Sequence, residues 1–461
     1  MKGVKAVVRI STTVHTLCAA LLILVLLMAG CGSKSSSQTF VGNNVVSINP
    51  VELLIEIEES ITQPITRALD GWDWDSFTSN FGSLLTSFRY TIEMQKVSYQ
   101  STGADGKLHT MTGLLILPKA ILGDKPSVPI LMYQHGTEVY RQFSPSQYLT
   151  HRSKPTDYPE VMVAAAIAAT GYAVALVDYE GMGDNTNTQP HVVGEVLAQQ
   201  VIDLLKSSRD IIAGTGSPCT WDSQLFLMGY SEGGYVTMVT TRELQLNHAA
   251  EFTVTASAAL SGPHDLSGVM REVILSDNTF KSPYFVPMIL TSYNYAYGKQ
   301  TALFDPATAM IAPYNTTIPP LFDGNSRSDT ISEAMGMNFT TPVLIVPKSV
   351  LSSGFIAQLS DITTPSKVVA LLKENDSYRG WVPAMPMLLV HHPDDELVPF
   401  ANSQAAFNAF FAADPTTTTN NVELVEEDAE ITISTDPVKT VHVGSAFPEL
   451  LRGWEWLDDF K

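Results

Sequence analysis

A chain of 461 residues, 45% hydrophobic and 16% charged, has the means to bury a large core, and a globally disordered protein is excluded. Its 27 basic residues stand against 47 acidic ones, a net charge of −20, and so acidic a surface repels phosphate backbones and argues against nucleic acid as a partner. Three cysteines, Cys18, Cys31 and Cys219, are too few and too badly placed for an internal disulfide framework.

The chain opens with a basic lead, Lys2, Lys5 and Arg9, followed by an apolar run from Leu17 to Met28 and then Ala29-Gly30-Cys31. This reads as an export signal over residues 1–30. It resembles a bacterial lipoprotein signal, although Met28 stands where that motif more often has leucine. The resemblance implies that Cys31 becomes the lipidated first residue of an exported chain, anchored through its lipid at the cell envelope. A plain signal peptide and an uncleaved anchor are the alternatives. The polar, small residues behind Cys31 suit a flexible tether over 31–50, and residues 51–88 read as a helical extension.

From Arg89 onward, strand-like and helix-like patterns alternate, which predicts a mostly parallel sheet with helices on its faces. "RYTIEMQKVSY" and "LHTMTGLLILP" predict an antiparallel pair turning at Gly103 to Gly106, and "VPILMYQHG" a strand buried on both faces. A helix, a stop at Gly171 and a strand ending at Asp178 come next. The apolar spacing of Val196, Leu197, Val201, Leu204 and Leu205 predicts another helix, and "QLFLMGY" another strand. "GGYVTMVTTRELQL" then reads as a helix and "FTVTASAALSGPHD" as a strand. Residues 89–265 form the first part of this core. The rhythm breaks over 266–383, where scattered Pro, Tyr and Asn separate weak helical patterns, and this reads as an inserted cap. "MPMLLVHHPDD" resumes the core over 384–461, with a helix at "ANSQAAFNAFFAA" and a strand or turn plus an amphipathic helix at the end.

"MGYSEGG" at 228–234 carries the chemistry. With 29 glycines in the chain a G-x-S-x-G match alone is weak, but here it lies between a strand and a helix, where a sharp turn exposes the Ser231 hydroxyl at the helix amino terminus. A serine needs a base and a group to orient that base. Downstream, Asp394 and Asp395 offer carboxylates, and His442 is the only later histidine. The ligand types in "HHPDDE" also raise a metal reading, but His391 and His392 alternate on a strand and point to opposite faces, so no metal or other cofactor is expected.

The segments "YQHGT" (133–137), "DYEGMG" (178–183), "GYSEGG" (229–234) and "DDELVP" (394–399), with "VHVGSAFPELL" behind them, resemble the α/β-hydrolase superfamily. Within it the likeness is to capped secretory lipases and esterases, and more weakly to prolyl-oligopeptidase-type hydrolases. The resemblance implies an α/β-hydrolase fold with a largely helical cap inserted before the catalytic acid. It implies Ser231 as nucleophile, Asp395, by its spacing to Val398-Pro399, as acid, and His442 as base. The oxyanion hole would take backbone N–H groups from Glu232 and from Thr137, or alternatively Gly136. The Glu232 side chain is either a brake on anionic substrates or a solvated acid at a helix start. The expected substrate is a small-molecule ester or lipid. A peptidase or amidase with the same triad and a non-catalytic surface lipoprotein are the alternatives, and nothing bears on the oligomeric state.

Overall fold

The computed structural model describes residues 45–50, 52, 53, 55, 56, 87–298, 304–338, 343–429, 431 and 440–461. The export signal, Cys31 and most of the helical extension lie outside them. Among the described residues no helix is long and apolar enough to cross a membrane.

Nine strands form one sheet in the order β1-β2-β3-β5-β4-β6-β7-β8-β9. They are β1 (Val46–Ile48), β2 (Thr91–Thr102), β3 (Leu108–Lys119), β4 (Ser127–Gln134), β5 (Ala173–Val177), β6 (Thr220–Tyr230), β7 (Ala256–Leu260), β8 (Met387–His391) and β9 (Val422–Glu426). The pairs β1–β2, β2–β3 and β3–β5 are antiparallel, and every later pair is parallel. β5, β7 and β8 are buried along their whole length, as near-continuous apolar runs require when helices cover both faces. The helices doing so include α1 (Pro159–Ala169), α2 (Gly194–Ala213), α3 (Glu232–Asn247) and, at the carboxyl end, α8 (Ala446–Asp458).

Two features depart from the sequence expectations. The end of the expected tether is not free chain, because Val46–Ile48 pairs with Met94–Ile92 and Ile48 is fully buried. Three residues with alternating burial are too short a signal to stand out beside a polar run. β9 adds a strand beyond β8 that was not foreseen, since "VELVE" carries two acids and only Val422 is buried.

Between β7 and β8 the chain leaves the sheet for a long, mainly helical excursion. It contains α4 (Phe285–Tyr297), α5 (Ser353–Ser360) and α6 (Lys367–Glu374), with shorter turns between them. It begins where Asp265 accepts hydrogen bonds from the N–H groups of Gly268 and Val269, which satisfies the first turn of a helical segment. α7 (Ala401–Ala413) follows β8 and packs on the edge of the sheet.

Candidate active site

β6 delivers the chain to Ser231 and α3 takes it away, so the residue between must reverse direction sharply. Ser231 does so at φ 60°, a left-handed conformation that is costly for a side chain with a Cβ. The turn is held by the Ser231 N–H, which donates to the Leu260 carbonyl at 2.9 Å. Glycines on either side are obligatory. A Cβ on Gly229 would lie 2.5 Å from the carbonyl oxygens of Gln134 and Gly233, and one on Gly233 would collide with Gln134. The result is a hydroxyl standing at the first turn of α3, where the helix dipole favours negative charge.

His442 lies on a helical turn, Val441–Gly444, capped by the Thr440 hydroxyl. The strand alternative for this segment is therefore set aside. Its Nε2 is 2.8 Å from Ser231 Oγ, and its Nδ1 is 2.5 Å from Asp395 Oδ2. Tyr230 fixes the turn from below by donating its hydroxyl to the His442 carbonyl, with Ser445 Oγ at 3.1 Å. Asp395 Oδ1 accepts the N–H groups of Leu397 and Val398 at 2.9 and 2.8 Å. Burial pushes this carboxyl up, but the facing His442 and the hydrogen bond from His391 outweigh it and hold Asp395 well below the usual carboxylate range. Asp394, the rival acid, is exposed.

His391 stands behind the acid. Its Nε2 lies 2.6 Å from the Val398 carbonyl, which only accepts, so this nitrogen carries the proton; Asp395 Oδ2 is 3.3 Å away. His392 instead makes contacts with Ala429 and Asp394, so the two neighbouring histidines share no site.

On the opposite side of Ser231, the two candidates for the second oxyanion donor separate. The Gly136 N–H is already committed to the Glu160 carboxylate at 3.0 and 3.2 Å, which leaves Thr137. Glu232 is not the solvated acid that its position suggested. It is 1% exposed and faces His191, whose Nδ1 is 2.9 Å from Oε1.

A family model described as secretory lipase matches residues 147–295, a stretch holding β5, β6, Ser231 and most of α4. Solved structures extend the likeness over most of the chain. LipA from Xanthomonas oryzae, a rice cell wall degrading esterase, aligns at 24% identity over 84% of this chain and 96% of its own, with a TM-score of 0.67. The fold is that of the α/β-hydrolases. A putative hydrolase from Legionella pneumophila aligns at 22% identity over 92% of this chain and 98% of its own, TM-score 0.68. Lipase A of Candida antarctica, in its closed state, aligns at 16% identity over 75% and 74%, TM-score 0.54. No curated protein matches the sequence.

The candidate side chains gather at the carboxyl ends of the parallel strands, where open sheets of this kind form crevices. Two compartments open on either side of Ser231. The first, about 1030 Å³ and partly open to solvent, is lined by His442, Thr440, Tyr158, Tyr284 and the carboxylates Glu138, Asp157 and Glu160. The second, about 600 Å³, is mainly apolar, with Leu266, Met270, Ile274, Val286, Ile289 and Val398 around it and His191 and Glu232 at its edge. Thr137, Phe285 and Leu397 border both. Of the aromatic residues of the excursion, Phe280, Tyr284 and Phe285 reach the two compartments. Tyr295 and Tyr297 bond Glu180 and Asn375 instead.

Among the described residues one group, Asp105, His109 and Glu180, brings metal-ligand atoms together. Both Glu180 oxygens already accept hydrogen bonds, from Ala104, Asn187 and Tyr295, and Asp105 is engaged by Lys107 and His109. The arrangement ties the β2–β3 turn to the loop after β5. Sequence reading missed His191, Glu160 and Glu449 as site neighbours. His191 and Glu160 belong to no motif, and Glu449, though it falls within "VHVGSAFPELL", reaches the site only through the fold.

Proposed function

We propose that the protein is a serine hydrolase of carboxylic esters, with Ser231 as nucleophile, His442 as general base and then acid, and Asp395 as the group that orients His442. The observation that carries this reading is the continuous relay from Ser231 Oγ to His442 Nε2 at 2.8 Å and from His442 Nδ1 to Asp395 at 2.5 Å. The secretory-lipase match and the esterase among its structural neighbours support the ester class.

In this mechanism His442 takes the Ser231 proton as the hydroxyl attacks the ester carbonyl, and the tetrahedral oxyanion is met by the N–H groups of Glu232 and Thr137. Collapse expels the alcohol, which receives the proton from His442, and a water activated by the same imidazole releases the acid. The leaving oxygen must therefore lie on the His442 side. His442 borders only the polar compartment, so the alcohol occupies that one and the acyl chain the apolar one. Export and attachment through Cys31 complete the proposal; the basic lead, the apolar run and the Ala-Gly-Cys sequence support them.

The test is hydrolysis of p-nitrophenyl esters of increasing acyl length, beside Ser231→Ala. Turnover that falls by about 10⁴-fold or more in the variant is the expected result. A folded protein inert toward every ester refutes the reading.

A further inference from the structure

The carboxylate next to the nucleophile is the least expected group in the site. Glu232 supplies a backbone N–H to the region where an oxyanion would form, yet its own side chain is buried directly behind it. Burial pushes this carboxyl up, but His191, His135 and the Thr137 hydroxyl more than reverse that and leave it ionised. An uncompensated negative charge there would oppose the second negative charge that acyl transfer develops a few ångströms away.

His191 is built to compensate it. Its Nδ1 lies 2.9 Å from Glu232 Oε1 but off the line of a good hydrogen bond, close enough for the imidazole to meet the carboxylate as an opposite charge when it holds a second proton. Its ring is stacked on Phe285 of α4, 5.8 Å between centroids and 5° from parallel. The next residue, Val192, sits at φ 50°, a costly conformation for a β-branched side chain. That strained backbone is pinned by the Tyr235 hydroxyl on the Val192 carbonyl and by Asn375 on the Gly194 N–H. Other titratable groups face the pair. His135 donates its Nδ1–H to the Gly136 carbonyl and also faces Asp178, while Tyr179 and Tyr235 are neutral phenols whose ionisation Glu232 opposes. His191 is thus the imidazole in direct contact with the carboxylate and with little else that is polar.

We propose that His191 is a positioning residue that serves as the buried counter-cation of Glu232, keeping the oxyanion hole free of net negative charge. The inference rests on the serine-hydrolase reading above and concerns the transition state only. His191 borders the apolar compartment, but its proposed action is through Glu232 and not on the reacting atoms.

The experiment compares His191→Gln, Glu232→Gln and the double variant, using kcat and KM for a p-nitrophenyl ester the wild type hydrolyses. With the counter-charge removed, H191Q is expected to lose about 10- to 100-fold in kcat at nearly constant KM, the size of effect one lost oxyanion contact produces. Removing both charges in the double variant should restore kcat to within a few-fold of wild type. A role in packing alone predicts the opposite, because a second buried substitution does not repair the first. A double variant as slow as H191Q, or an H191Q at the wild-type rate, overturns the proposal.

If H191Q does not fold, H191N gives a second variant, read with phenylboronic acid, whose serine adduct is an anionic tetrahedral mimic. Loss of the counter-charge predicts boronate binding at least about tenfold weaker than wild type in H191N and recovered in the H191N/E232Q double variant. Equal affinity in H191N and wild type, or a double variant no better than H191N, overturns the proposal. Boronate binding needs only Ser231 and its oxyanion donors, so it separates this failure from that of the ester reading, which shows as a wild type inert toward every ester.

Discussion

Single side chains in this site act largely through groups they never expose. Glu449 of α8 is the clearest case: it is fully buried, accepts the Ser261 hydroxyl at 2.9 and 2.7 Å, and takes the His392 N–H at 3.1 Å behind the acid-bearing turn. Burial pushes its carboxyl up to about 8, with His391 and Ser261 pulling the other way, against an ordinary value of 4.5. The folded protein therefore keeps a proton that the unfolded chain gives up, and stability from this group is fully present below pH 4.5 and is lost as pH rises through about 8. Thermal unfolding from pH 5 to pH 9 is expected to show a smaller fall in Tm for Glu449→Gln than for wild type, and equal slopes would refute the assignment. The nucleophile turn gives a second residue-scale expectation. Gly233→Ala should cost several degrees of Tm or prevent folding, because its Cβ has no room beside Gln134. The juxtaposition of Ser231, Asp395 and His442 was legible in the sequence because the first two lie in motifs with fixed spacing and the third is the only later histidine. His191 and Glu449 were not, since what makes them matter is a neighbour brought close by folding, 41 residues away in chain for the one and 188 for Ser261 with the other.

At the level of elements, the sheet and its covering helices follow from patterning. Runs such as Met387–His391, buried on both faces, can be little else in an alternating chain. Turns of the excursion were harder, because segments such as Pro306–Ala309 and Tyr314–Thr317 are single turns with no period to read. The same excursion furnishes most of the apolar compartment, with Met270 and Ile274 lining it beside Val286 and Ile289 of α4. A larger side chain there should shorten the acyl chain accepted. Ile274→Trp is expected to lower kcat/KM for long p-nitrophenyl esters by about tenfold and leave acetate and butyrate within about twofold, a methylene being worth a factor of this order in an apolar pocket. A uniform loss across the series would place the acyl chain elsewhere.

Charge acts over the entire molecule. A net charge of −20 with three carboxylates around the polar compartment makes a field that attracts cations toward Ser231. An ester with a cationic alcohol should show a kcat/KM that falls as salt is raised from about 10 to about 300 mM, conditions over which screening length shrinks several-fold, while a neutral ester of the same shape changes little. Identical salt dependence for both would show that the field does not reach the site. The topology has another outcome, one of timing. Ser231 and His442 are hydrogen-bonded across 211 residues of chain, with the whole excursion between them, and Asp395 follows the serine by most of that length. Synthesis runs from the amino end, so the serine turn is made well before its proposed base. On the proposed triad, a chain that stops short of His442 is a disarmed scaffold, and reactivity toward ester bonds waits on the order of the residues alone.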